Sequence, residues 1–222
     1  MTSTPQPAAL RVAIVGAGLA GATCAQALAA AGCAVQVIDK ARGPGGRLAT
    51  RRLSWTAPDG GPRSARVDHG APGFAAADPA LLAALRGLGG DTPVAAWAPQ
   101  AAPGGRAIRP AGDWQLPAPD MPSLCRTLLR GVPLRVSFTV ERLVREAGAW
   151  CVEGRSEAGP ERLEATFDAV VLALPPAQAA PLLALHRPDW AQRASLAVMQ
   201  PCWTLMGVSQ RPARPMAWQV LR

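Results

Sequence analysis

One segment narrows the folds open to this chain more than any other: Val12-Ala-Ile-Val-Gly-Ala-Gly-Leu-Ala-Gly21. An apolar run from Arg11 to Val15 enters a turn where Gly16, Gly18 and Gly21 give the spacing G-x-G-x-x-G. Leu19 to Ala31 is alanine-rich and helix-prone, with Gly32 placed to close it. Ala34 to Ile38 is a second apolar run and ends at Asp39. Strand, glycine turn, helix, strand is a βαβ unit, which predicts an α/β fold built on a parallel sheet. Each glycine answers a separate demand. Gly16 makes the tight turn off the strand, Gly18 lets the backbone approach a pyrophosphate, and Gly21 lets the helix pack close to the sheet. The helix start then offers free N–H groups and the positive end of its dipole to phosphate. Asp39 stands where an acid can accept bonds from both ribose hydroxyls, and it disfavours a 2′-phosphate. FAD or NAD is thus expected before NADP.

The stretch Val12 to Ile38 carries no charge and would pass a hydropathy filter for a membrane span or a signal peptide. Its glycines, and the acid and base that close it, fit the dinucleotide reading better. No membrane partner is expected. The formal charge of +8 raises the question of nucleic acid, but Lys40 is the only lysine among 23 basic residues. No tract interleaves arginines with aromatics as a single-strand groove does, so no nucleic-acid partner is expected either. Five cysteines without a C-x-x-C spacing, and only His69 and His186 beside them, argue against a zinc site or a disulfide framework. They read as reduced thiols of a cytoplasmic protein.

Further along, Lys40 to Arg66 reads as a loop rich in cations, and Pro79 to Leu88 as a helix capped by Asp78. Ala95 to Pro119 suggests short strands, and Ser123 to Arg130 an amphipathic helix. Leu134 to Val144, Ala149 to Glu153 and Arg162 to Phe167 suggest an antiparallel meander. Ala169 to Leu174 has the continuous apolar character of a strand buried on both faces. Pro175-Pro176 opens a helix to Leu185, and Cys202 to Ser209 reads as a last strand before a proline-rich end.

The segment from Asp39 to Arg47, with its Gly45-Gly46 doublet, resembles the extended fingerprint of the flavin amine oxidase superfamily. Gly43-Pro-Gly-Gly-Arg-Leu-Ala-Thr-Arg-Arg52, Val67-Asp-His-Gly-Ala71 and Cys202-Trp-Thr-Leu-Met206 are similar to its renalase-like branch. The resemblance implies a Rossmann-like FAD-binding domain with a β-meander, formed by residues 1–75 and 120–185. An incomplete α+β substrate domain would span 76–119 and 186–222. It further implies that Gly16, Ala17, Gly18, Leu19, Ala20 and Gly21 face the pyrophosphate and Asp39 the ribose. Lys40, Arg42, Gly46 and Arg47 would make phosphate and flavin-side contacts. His69 and Gly70 would lie near the isoalloxazine, and Val140 would hold the adenine through its backbone. Pro72 and Gly73 depart from the polar and aromatic residues usual after the Asp-His-Gly-Ala motif. Relatives continue for on the order of a hundred more residues, so this chain is expected to stop inside the substrate domain.

Two readings follow. In one, an FAD-dependent oxidoreductase takes hydride from a small reduced substrate, a dihydronicotinamide such as NAD(P)H or an isomer, or an amine. Oxygen then reoxidises the flavin to give hydrogen peroxide. The chain would act as a monomer or homodimer, and no acid or base is assigned. In the other, it is a non-catalytic nucleotide-binding fragment or partner protein lacking a C-terminal flavin cap. His69 is open between a satisfied turn residue and a catalytic one, and Arg51 and Arg52 between a solvated loop and a substrate phosphate. Trp97 and Trp203 read as core rather than as stacking platforms.

Overall fold

The computed structural model describes residues 8–75, 78–87, 94–97 and 114–208. The chain begins with β1 (Arg11–Val15), α1 (Leu19–Ala30) and β2 (Ala34–Ile38), then β3 (Thr50–Thr56), β4 (Pro62–Asp68) and β5 (Phe74–Ala75). Next come α2 (Pro79–Gly87), β6 (Val94–Trp97), β7 (Trp114–Pro117), α3 (Ser123–Leu128) and β8 (Leu134–Arg135). β9 (Thr139–Glu146), β10 (Ala149–Ser156), β11 (Gly159–Phe167), β12 (Ala169–Leu172), α4 (Pro176–Leu183) and α5 (Pro188–Ser195) follow.

These elements fall into two compact units, residues 1–46 with 128–202, and residues 47–127 with 203–222. The segment 47–75 therefore groups with 76–127 and not with the glycine turn.

The first unit carries the α/β fold. Its parallel sheet has the order β12-β1-β2-β8, with Val12 opposite both Ala169 and Val35. All of β1 after Arg11 is buried, as befits a strand flanked on both edges. α1 returns the chain from β1 to β2 and buries only the small residues Gly21, Ala22 and Ala25, which lets its axis lie close to the sheet. Its end is a Schellman closure: Gly32 takes φ +83°, its N–H donates to the carbonyl of Ala29, and the N–H of Cys33 donates to that of Leu28. β9, β10 and β11 form the expected antiparallel meander. Ile38, Phe138, Val152, Phe167 and Leu182 belong to one buried cluster joining sheet, meander and α4.

Several expectations need correction. The strand expected from Leu134 to Val144 is broken at Ser137, which takes φ +54°. The part before the break, β8, pairs in parallel with β2, and the part after it opens the meander. Ala169–Leu172 forms a strand, but every residue is only half-buried, because β12 is the edge of its sheet. The cation-rich loop from Lys40 to Arg66 contains the β3–β4 hairpin, whose apolar positions are confined to one face. Residues 202–208 form no strand, and Ser209 lies outside the described residues. α5 was not anticipated, although Pro188 at its first turn with Asp189 beside it is an ordinary start signal.

In the second unit, β5, β7 and β6 make a small antiparallel sheet, with Trp97 and Trp114 edge to face at 5.8 Å. Much of the stretch from Ala95 to Pro119 lies outside the described residues. α2 begins as its sequence predicts: the Asp78 carboxylate accepts the N–H of Ala80 at 2.8 Å.

Candidate functional site: a glycine-lined cradle

The turn after β1 lies where strand order reverses, with β2 on one side and β12 on the other. Open α/β sheets bind ligands at such a switch point, beyond the carboxyl ends of the strands. The turn is held from both sides. The N–H of Gly16 donates to the carbonyl of Ile38 at 2.8 Å, and the N–H of Ala173 donates to that of Val15 at 2.8 Å. Gly16 takes φ +113°, and a Cβ there would run into the carbonyl of Ala173. A Cβ on Gly21 would overlap the carbonyl oxygen of Gly16. Gly18 differs: its Cβ would meet only the Cα of Gly46, at an ordinary 3.7 Å.

A second glycine loop crosses the first. Gly45 forms a parallel bridge with Gly18, and its N–H donates to the carbonyl of Ala17 at 3.0 Å. Gly46 takes φ +55°, and its Cβ would stand 3.0 Å from the Cα of Gly18. The doublet therefore serves close backbone crossing. Gly45 was not among the expected site residues, yet it makes the bond that joins the loops, and the doublet itself was the signal for it.

Asp39 is the latch between these parts. One carboxylate oxygen accepts the N–H of Ala17 at 2.6 Å, the other that of Ala41 at 2.7 Å. Each oxygen keeps a further lone pair, so a ribose hydroxyl can still be accepted. The N–H of Phe138 donates to the Asp39 carbonyl, which brings the start of β9, and with it Val140, alongside.

α1 starts at Gly18 without a side-chain cap and without an acid in its first turn. Leu19 is half-buried and Ala20 exposed. The helix thus leaves orphan N–H groups and its positive dipole end for an anion. Lys40 and Arg42 are exposed, and neither is engaged in an ion pair among the described residues. Two crossing glycine loops, an uncapped helix start and free cations fit a dinucleotide's pyrophosphate.

The second unit holds the remaining expected residues. Gly70 packs so tightly on the Arg47 backbone that a Cβ would overlap its carbonyl, and the N–H of Ala71 donates to that carbonyl at 2.8 Å. Arg47 is exposed. His69 is half-buried and bound through its backbone: its N–H donates to Ala49, and its carbonyl accepts the Thr204 hydroxyl at 3.0 Å. Its ring makes no hydrogen bond among the described residues. Trp203, expected in the core, is 97% exposed. Among the described residues, no cluster of His, Cys, Asp and Glu is placed to hold a metal, and none of the five cysteines is in a disulfide.

Residues 14–88 match the NAD(P)-binding Rossmann-like domain family, about a third of the chain. The fold is thus α/β with a Rossmann-like dinucleotide-binding domain. A candidate protoporphyrinogen oxidase from Exiguobacterium sp. 255-15 shares it at TM-score 0.57 and 14% identity, over 83% of this chain and 64% of that one. A putrescine oxidase variant redesigned in its cofactor binding aligns at TM-score 0.53 and 14% identity, over 79% of this chain and 60% of its own. At these identities the likeness is one of fold, and the chain spans under two thirds of either structure. No described helix is long and apolar enough to cross a membrane.

Proposed function

We propose that this chain is an FAD-dependent oxidoreductase that takes hydride from a small reduced substrate, a dihydronicotinamide or an amine, and passes the electrons to oxygen as peroxide. The observation that carries the reading is the crossing of Gly18 by Gly45 and Gly46 in front of the uncapped start of α1. A nicotinamide-binding βαβ unit needs only the first glycine loop. The second loop, with its cations, suits the longer contact that FAD requires.

In this reading the N–H groups of Leu19 and Ala20 bind the pyrophosphate, and Arg42 adds a permanent forked cation. Asp39 orients the ribose while holding the Ala17 backbone in place. Val140 meets the adenine through its main chain. Arg47, His69 and Gly70 are assigned to the flavin side. When bound, the flavin supplies the two-electron acceptor, so the chain need only bind, orient and exclude water. The resemblance to the renalase-like branch favours dihydronicotinamides over amines.

The test is co-elution of flavin absorbance with the full chain on gel filtration after incubation with FAD. Retention is expected, followed by bleaching with a dihydronicotinamide and peroxide release in air. A chain that elutes colourless overturns the reading. Retention without bleaching favours a second one, a non-catalytic nucleotide-binding protein. That alternative has its own support: Leu196 and Val198 are 74% and 81% exposed, apolar surface that another chain would cover.

A further inference from the structure

The β3–β4 hairpin sets Arg52 directly opposite Arg66 and Ser54 directly opposite Ser64. Residues two apart on a strand share a face, so these four side chains form one patch, and all four are exposed. The other face carries Leu53, Trp55, Ala65 and Val67, each half-buried, so the hairpin packs through that side. Nothing about packing requires the outward face to be cationic.

Like charges directly opposite weaken a two-stranded ladder. Here only Arg66, among the described residues, has a paired counter-charge. Arg66 reaches Asp120, with Nη1 3.0 Å from Oδ2. Asp120, whose side chain is 4% exposed, also takes Arg126 at 2.5 Å and the N–H of Ser123 at 3.1 Å. One carboxylate therefore serves two guanidiniums. The acid on the same face, Asp68, accepts the Thr50 hydroxyl and the N–H of Met121 through one oxygen and makes no ion pair with Arg52. Arg52 has no acceptor among the described residues, and neither do the hydroxyls of Ser54 and Ser64. The patch thus presents one unpaired guanidinium and two unpartnered hydroxyls, with the Asp68 carboxylate at its far end. Toward the turn lies an open cleft of about 430 Å³ lined by Ser54, Trp55, Thr56, Pro62, Arg63 and Ser64, which takes in residues of both faces.

Planar guanidinium forks flanked by hydroxyls match the oxygens of phosphate, which accepts several charge-assisted bonds at once. We propose that this face binds a phosphate-bearing small molecule, with Arg52 and Arg66 closing on the phosphate oxygens and Ser54 and Ser64 donating from below. Arg66 is pre-oriented by the buried Asp120, while Arg52 is free to swing onto the ligand. The site does not depend on the flavin reading, because every residue in it belongs to the second unit.

Titration of the isotope-labelled full chain with inorganic pyrophosphate, followed by NMR, tests the assignment. Saturable shifts are expected at the Ser54 and Ser64 amides. Shifts at Gly18 to Ala20 report separately on the glycine cradle. Arg52→Gln should weaken binding at the hairpin about tenfold, the loss of one charge-assisted contact. It should leave the fold intact, since the Arg52 side chain has no partner to lose. Arg51→Gln, on the opposite face, should bind as the native chain does. Non-saturating shifts at the hairpin, or equal weakening by Arg51→Gln and Arg52→Gln, would overturn the proposal and leave the arginines as a guard against edge-to-edge pairing.

Discussion

Gly16, Gly18 and Gly21 look alike in the sequence but are required for different reasons. At Gly16 and Gly21 the neighbour is backbone, so an added methyl displaces the turn from β12 or the helix from its own start. Gly16→Ala carries a further strain from φ +113°. Either alanine should destabilise the chain by about 2–4 kcal/mol, the range for overpacking against atoms that cannot yield. Gly18→Ala meets only ordinary van der Waals contact at 3.7 Å, so its melting temperature should stay within about 2 °C of the native value. Its methyl would instead occupy the space needed by an approaching pyrophosphate, and retained flavin should fall at least about tenfold. Thermal melts and flavin content of the three variants, measured side by side, separate the roles. If Gly18→Ala melts early with flavin content intact, the assignment of Gly18 to the ligand is wrong. The sequence spacing already separated the turn duty of Gly16 from the packing duty of Gly21, both of which the backbone contacts bear out. It did not show that the Asp39 carboxylate ties Ala17 to Ala41, because that bond depends on a side chain meeting backbone 22 positions away.

At the level of elements, legibility followed the density of local signals. β1, α1 and β2 were readable because apolar run, glycine turn and helix closure agree with one another. The β3–β4 hairpin was not. More than half of its strand residues are arginine, serine or threonine, so the alternation of Leu53 and Trp55, and of Ala65 and Val67, with polar neighbours is short and masked by the cations, and Asp59-Gly60-Gly61 is the plainer signal of the turn. The break at Ser137 was equally silent, since serine has no preference for the left-handed region that it occupies here. The β9–β10 turn shows the same local compromise. Ala147 and Gly148 take φ +47° and +83°, the pair of positive angles of a type I′ hairpin, with Glu146 opposite Ala149. Glycine suits its place; alanine does not. Ala147→Asn should stabilise the meander by about 0.5–1 kcal/mol, because asparagine adopts this conformation at lower cost. Chemical denaturation should show a higher midpoint with an unchanged slope. A lower midpoint would mean that the turn is not the one described.

Across the molecule, the excess of arginine has a consequence for acid stability. Glu146 accepts two hydrogen bonds from Arg162, and Asp189 two from Arg187. These arginine bonds hold both carboxyls below their ordinary values. A carboxylate whose folded value is depressed stabilises the fold at pH above its unfolded value, and that contribution is lost as pH falls. The unfolded values are about 4.3 for glutamate and 3.9 for aspartate, so melting temperature should be level down to about pH 5 and decline below it. Protonation of the 15 acids also raises a net charge that starts at +8, which adds self-repulsion on the same acid limb. The two causes separate by mutation. A Glu146→Gln, Asp189→Asn chain should melt slightly below the native chain at pH 7 and converge toward it as pH falls through the depressed folded values, where protonation releases the pairs. Both pairs are exposed, so the gap at pH 7 should shrink in concentrated salt. Repulsion is unaffected by that convergence, and at pH 3 added salt should raise the melting temperature of both chains. A gap that persists unchanged from pH 7 to pH 3 would show that the substitutions act through packing of the β9–β11 and α5 surfaces and not through charge.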